Sequence, residues 1–289
     1  MGNRMDGDRC GKAGARVSQQ VDEAGADGSV TTSHDGAVLR ITLDRQSRRN
    51  SLTHTMIQTL VDVLSDAATD YSLRAIHLTG AGTDFCAGAD WIATNSPDGE
   101  RPRTGDLVRR VPHAANRVIE LIHTIQLPVV CSVQGWAAGM GCNLALAADF
   151  TVATTDAVFW EPFTERGFSP DSGSTWLLPR LVGVARARRM LLLGEQVNGV
   201  DAADWGMIHC AEQAATFRNT VEELLARLAN GPTVAIGLAK QALDFGQRAT
   251  LSESMTQELF NLELSCRTSD FKEGLAAFRQ RRAPDYKGR

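Results

Sequence analysis

The sequence predicts an α/β core followed by a purely helical C-terminal region. Three observations carry that reading. Over the first two-thirds of the 289 residues, short apolar runs alternate with amphipathic segments of helical spacing. From Ala214 onward only helical spacing remains. Between these regimes, Leu127 to Asp149 runs from a β-branched stretch, through Gly135, Gly139 and Gly141, into an Ala/Leu run that reads as a buried helix.

In chain order, Met1 to about Gly28 is rich in Gly, Asp, Arg and Ser and is expected to be a disordered tail. Ala37–Leu43 reads as a strand. Asp44–Asn50 is a polar, basic loop. Ser51–Asp70 places Leu52, Met56, Ile57, Leu60, Val61, Val63 and Leu64 at helical spacing, with Ser51 or Thr53 as N-cap. Leu73–Thr79 is the next strand, and the glycine-containing Gly80–Asp90 follows it. Asn95–Thr104 is polar, with two prolines, and is expected to be mobile. Leu107–Ile125 is helical after Pro112. Phe150–Ala153 and Ala157–Trp160 are short strands, and Glu161–Gly173 is irregular. Asp171 or Ser172 is placed to cap a helix at Trp176. Ala185–Leu193 and Val200–Gly206 are helical, the latter closed by its glycine. Thr216–Ala229, Thr233–Ala249, Leu251–Arg267 and Phe271–Arg282 are the C-terminal helices. The division is therefore a tail to 28, a core over 29–208 and a helical region over 209–289.

Composition narrows the function. A net charge of −4 gives no electrostatic reason to expect nucleic acid or an anionic membrane as partner. No apolar run is long enough to span a bilayer, and none near the N-terminus reads as a secretory signal. The six cysteines form no C-x-x-C pair and read as reduced core thiols of a cytoplasmic protein. The six histidines lack metal-motif spacing, so no metal site is expected.

The chemistry concentrates in the glycine stretches. A strand that turns sharply into a helix leaves N–H groups unpaired, and the helix dipole adds partial positive charge there. Such a corner suits a developing oxyanion. A phosphate loop is excluded at Gly80–Asp90, because no Gly-Lys-Ser/Thr follows and no G-x-G-x-x-G opens a helix.

Two motifs carry a family likeness. Leu78–Asp90 (LTGAGTDFCAGAD) resembles the first signature of the enoyl-CoA hydratase/isomerase (crotonase) superfamily, and Pro128–Asp149 resembles its second. Weaker likenesses at Ile41–Leu52, Ala202–Ile208 and Asp270–Arg282 extend the match over nearly the whole chain after the tail. The resemblance implies a spiral of ββα turns with a C-terminal helical trimerisation region. It also implies an acyl-CoA thioester substrate, no separate cofactor, and a homotrimer or homohexamer. Its oxyanion donors fall on the backbone N–H groups of Ala89 and Met140. Ala87, Gly88, Asp90, Gly139 and Phe163 are then expected to line the substrate.

The acid–base residues set the subgroup. Hydratases resembling this chain carry glutamates at the positions of Asn143 and Phe163, so ordinary hydration lacks both of its carboxylates here. Asp171, in the Pro-Asp of Gly167–Arg180, resembles the loop of the ring-epoxide and Δ3-Δ2-enoyl-CoA isomerases. One carboxylate suffices for a 1,3-proton shift. The leading expectation is therefore an isomerase with Asp171 as acid/base. A 2-enoyl-CoA hydratase using Glu161 or Glu165, with Asn143 positioning water, is an alternative; in an extended segment an offset of two from Phe163 restores the face. A non-catalytic acyl-CoA binder is the other. Trp136, Trp160 and Trp176 are candidates for an acyl pocket, and Arg45, Arg48 and Arg49 for coenzyme A phosphates.

Overall fold

The computed structural model describes residues 28–90 and 103–289. The expectations for the tail and for most of Asn95–Thr104 lie outside the described residues. The main sheet has the order β1-β2-β3-β4-β6-β9: β1 (Ser29–Asp35), β2 (Val38–Asp44), β3 (Ala75–Gly80), β4 (Val129–Val133), β6 (Phe150–Thr154) and β9 (Cys210–Glu212). Only β1 and β2 pair antiparallel in it; the rest is parallel. A smaller sheet, β5-β7-β8, comprises β5 (Trp136–Ala138), β7 (Val158–Trp160) and β8 (Val197–Asn198).

Parallel strands need both faces covered, and β4 is buried at every position. One face carries the larger core. There α1 (His54–Ala67) contributes Met56, Leu60 and Leu64, α3 (Ala115–Thr124) contributes Val118 and Ile122, and α4 (Met140–Ala147) is wholly buried. Thr53 caps α1, its side chain accepting the Met56 N–H. The helical stretch before α3 breaks at Pro112, leaving the short α2 (Asp106–Arg110). The opposite face is covered by α7 (Ala214–Ala229), whose Val221, Leu225 and Leu228 pack on Val38, Ala75, Val130 and Val152. The sheet thus extends through β9 and takes α7 as its second layer, so the core runs past residue 208. β9 escapes sequence reading because Cys210-Ala211-Glu212 has no β-branched or aromatic residue to mark it.

In chain order α5 (Ser174–Leu193), bent at Gly183, precedes β8, and α6 (Gly199–Asp204) follows it. The C-terminal helices α8 (Thr233–Gly246), α9 (Leu251–Ser265) and α10 (Ser269–Gln280) follow. Lys240 of α8 ties them to the core: its ammonium bonds the Asp149 carboxylate (2.7 Å) and the Ile122 carbonyl (2.9 Å). Asp149 also accepts the Val129 N–H at 2.8 Å. Desolvation raises the Asp149 pKa and lowers that of Lys240, each opposed by the partner's charge.

Candidate active site

Two backbone segments converge. The first, Cys86–Asp90, is held from both sides. Cys86 N–H donates to Trp136 O (2.8 Å), Ala87 N–H to Arg49 O (2.9 Å) and Asp90 N–H to Leu52 O (2.9 Å). Gly88 N–H faces Cys86 Sγ at 3.4 Å. Among the described residues, the Ala89 N–H has no hydrogen-bond acceptor. The second segment is the glycine corner. Gly139 N–H donates to Trp160 O at 2.8 Å. The Met140 N–H opens α4, where the helix offers no acceptor. It too is without a partner among the described residues.

Glycine permits the convergence. Gly88 has φ +91°, and a Cβ there would lie 2.6 Å from Ala138 O and 3.4 Å from Met140 N. A Cβ on Gly141 would sit 2.2 Å from Cys86 O. The contacts with Ala138 O and Cys86 O are closer than a side-chain carbon tolerates, so the loop bearing Ala89 packs directly on the corner bearing Met140. Asn50, fully buried in the left-handed region (φ 55°), pins the same loop from below. Its amide donates to Ala81 O (2.8 Å) and Asp84 O (2.7 Å), and its oxygen accepts the Arg45 N–H (2.8 Å).

The two free N–H groups open on a small pocket lined by Ala87, Gly88, Ala89, Gly139, Met140 and Asp171, with Phe163 and Arg166 among the rest of the wall. Among the described residues, Asp171 is its only acidic one. The side chain is half-buried, and burial raises its pKa against the lowering effect of the Ser172 hydroxyl, which donates to Oδ1 at 2.8 Å. The helix that follows is capped by Gly173 at φ 83°, with no side-chain cap bond. The Asp171 carboxylate is therefore not spent on capping.

Several expected residues sit elsewhere. Thr164–Arg166 is a 3-10 turn, so the two-residue alternation about Phe163 breaks. Glu165 is exposed and lies against the Gly194 position, outside the pocket. Glu161 is fully buried and does not line the pocket; burial drives its pKa far above the carboxylate range. Asn143 is likewise fully buried, and its amide donates to Gly139 O at 3.1 Å. The Asp90 carboxylate accepts from Arg45 (2.6 Å), with both side chains largely buried, so Arg45 is not free for a phosphate. Arg49 lies over the Trp136 ring at 5.5 Å. Trp176 lines a separate cavity of about 520 Å³, with Ile119, His123 and Asp244, beyond the Asp171–Gly173 turn. Sequence reasoning missed Arg166 as a pocket residue: it is brought there by the 3-10 turn, which leaves no periodic signal. Among the described residues, no group of three or more His, Cys, Asp or Glu is arranged to hold a metal ion.

This geometry has known counterparts. The family model "Enoyl-CoA hydratase/isomerase" matches residues 33–289. The chain is 38% identical to the 1,2-epoxyphenylacetyl-CoA isomerase of Escherichia coli K12, over 87% of this chain and 95% of the relative. It is 32% identical to the 2,3-dehydroadipyl-CoA hydratase of the same organism, over 87% of this chain and 96% of that one. The crystal structure of an enoyl-CoA hydratase from Bacillus anthracis superposes with a TM-score of 0.83 at 29% identity, covering 90% of this chain and all of the other. The fold and the family match define a crotonase-type protein. The chain belongs to the enoyl-CoA hydratase/isomerase family and is one of its acyl-CoA-processing enzymes.

Proposed function

We propose that the enzyme shifts a carbon–carbon double bond in an acyl-CoA thioester, with Asp171 as the single acid/base. One observation carries the reading: among the described residues, Asp171 is the only carboxylate lining the pocket onto which the Ala89 and Met140 N–H groups open. The thioester oxygen accepts both N–H groups. The Asp171 carboxylate takes a proton from C2 of a 3-enoyl thioester, and the C2–H electron pair passes into the conjugated dienolate. The two N–H donors hold the oxyanion. Asp171 then returns the proton to C4, leaving the 2-enoyl product and a regenerated carboxylate. The isomerase name of one relative supports this direction.

The test is isomerisation of a 3-enoyl-CoA by wild type and Asp171→Asn. A loss of about 10²–10⁴-fold in kcat is expected; undiminished turnover overturns the assignment. Because Asp171 works as the carboxylate and burial raises its pKa, kcat/KM should climb with pH through an acid limb above the usual carboxylate range.

The assembly belongs to the same reading. Helix α9 has no buried residue, yet it exposes Leu259, Phe260, Leu262 and Leu264. A face of that kind favours a homotrimer or homohexamer. Five described cysteines are free thiols, which favours a reducing compartment such as the cytoplasm. Among the described residues, no helix is long and apolar enough to cross a membrane.

A further inference from the structure

Among the described residues, three buried side-chain oxygens near the corner have no hydrogen bond of ordinary geometry: Oδ1 of Asn143 and both carboxyl oxygens of Glu161. Glu161 is 0% exposed, as is Asn143. Leaving one such oxygen unpaired is costly, and leaving an ionised carboxylate unpaired far more so. Burial is the main influence on Glu161, keeping it neutral; the neighbouring Cys142 and Asn143 of α4 act against that and the Asp171 charge adds to it, and among the described residues no cation bears on it. Asp171 is the more exposed acid, and its negative charge works against a second one at Glu161.

The orientation of Asn143 is set by what it holds. Its Nδ2 donates to Gly139 O, and its backbone N–H donates to the same oxygen at 3.0 Å. Turning the amide over would set two acceptors, Oδ1 and Gly139 O, against each other. The Oδ1 atom therefore requires a donor from elsewhere. The Gly139 carbonyl and the Met140 N–H belong to one planar peptide unit. Whatever fixes the Gly139 oxygen also aims the Met140 N–H.

We infer that Glu161 is a positioning residue, a neutral carboxylic acid that braces the Asn143 side chain and through it the peptide plane presenting the Met140 N–H. No bond is made or broken in this role. The proton stays on Glu161 through turnover, and Asp171 is the only carboxylate that exchanges one. A second brace runs in parallel, since Gly139 N–H donates to Trp160 O, the residue preceding Glu161. The inference rests on the oxyanion reading of Met140 and deepens it.

The test combines infrared spectroscopy with kinetics on the full-length enzyme. At neutral pH, the wild type should show a protonated-carboxyl stretch above the amide band, shifted in D2O and missing in Glu161→Gln. Glu161→Leu should lower kcat about 10- to 100-fold, part of the ~10²–10³ that loss of an oxyanion donor costs. KM should stay within about threefold, because the thioester keeps its other contacts. Glu161→Gln, neutral and of the same shape, should restore kcat to within about threefold, with the acid limb of the pH profile unmoved. Absence of the carboxyl band overturns the inference whatever the enzyme turns over. So does a Gln variant as impaired as the Leu variant, which would mean that Glu161 works through its charge. Should the wild type fail to isomerise 3-enoyl thioesters while the band is present, the reaction assignment falls and the neutral acid stands. If Glu161→Leu does not fold, the band and the Gln rescue still decide.

Discussion

The glycine corner and helix α9 are opposites. The corner lies in the core, with α4 buried along its length, yet among the described residues its Met140 N–H, like that of the facing Ala89, is unspent. Helix α9 lies on the surface and has its backbone bonds in order, including a capping box between Thr250 and Glu253. There the apolar side chains are unspent, Leu259 and Phe260 each about two-thirds exposed. Water tolerates neither arrangement without cost. Free donors inside a core call for a ligand that brings an acceptor; free apolar surface calls for another protein surface. The contrast separates the proposed site of chemistry from the surface proposed for assembly.

The contrast can be broken first at the corner. Gly141→Ala places a Cβ against Cys86 O. The loop bearing Ala89 must then move from the corner, with an expected loss of more than about 10²-fold in kcat and about 1–3 kcal/mol of stability. Activity that survives this change would mean that the two segments need not touch. Next comes the tie between the regions. Lys240→Met leaves the Asp149 carboxylate without its cation in a largely buried place, and chemical denaturation should show a loss of about 2–4 kcal/mol. On α9, Leu259→Glu with Phe260→Glu should convert the oligomer to monomer in light scattering while the secondary structure holds. An unchanged mass would show that another face carries assembly.

The most gradual effects are those of pH. His77 is buried, with Nε2 on Ser132 Oγ at 2.8 Å and Nδ1 on the Arg40 guanidinium at 3.2 Å. Burial, then the Arg40 charge, lowers its pKa to about 4. Between pH 6.5 and about 4 the unfolded chain binds a proton there that the folded chain refuses. Stability should fall on acidification through that window, by up to about 1.4 kcal/mol per pH unit, and His77→Gln should flatten the slope. Glu161 has the opposite sign. Its folded pKa is raised, so the unfolded chain releases the proton first and stability falls as pH rises above the ordinary glutamate range. Glu161→Gln should therefore gain on the wild type toward alkaline pH.

Much of this was legible from residue order, for physical reasons. Both site segments announce themselves through glycines, because a backbone approaching another at Gly88 and Gly141 excludes any side chain. The strand–corner–helix order followed from apolar spacing. Strand β1 was missed because it is a polar edge with five of seven residues exposed, so it has no alternation to read. The position of Glu165 outside the pocket was not legible, because a 3-10 turn, not an extended chain, follows Phe163. Asn143 read as a missing glutamate; what it does instead depends on the carbonyl four residues back, which spacing alone does not single out. The ion pair of Arg45 with Asp90 joins residues 45 positions apart, and no local pattern foretells it.

The most direct test of the central claim is a crystal structure of the enzyme with an acyl-CoA bound. The account predicts the thioester oxygen within hydrogen-bond reach of both the Ala89 and Met140 N–H groups, and the Asp171 carboxylate within about 3–4 Å of the acyl C2 and C4. A thioester oxygen bound elsewhere, or Asp171 turned from the acyl carbons with another acid in its place, would contradict it.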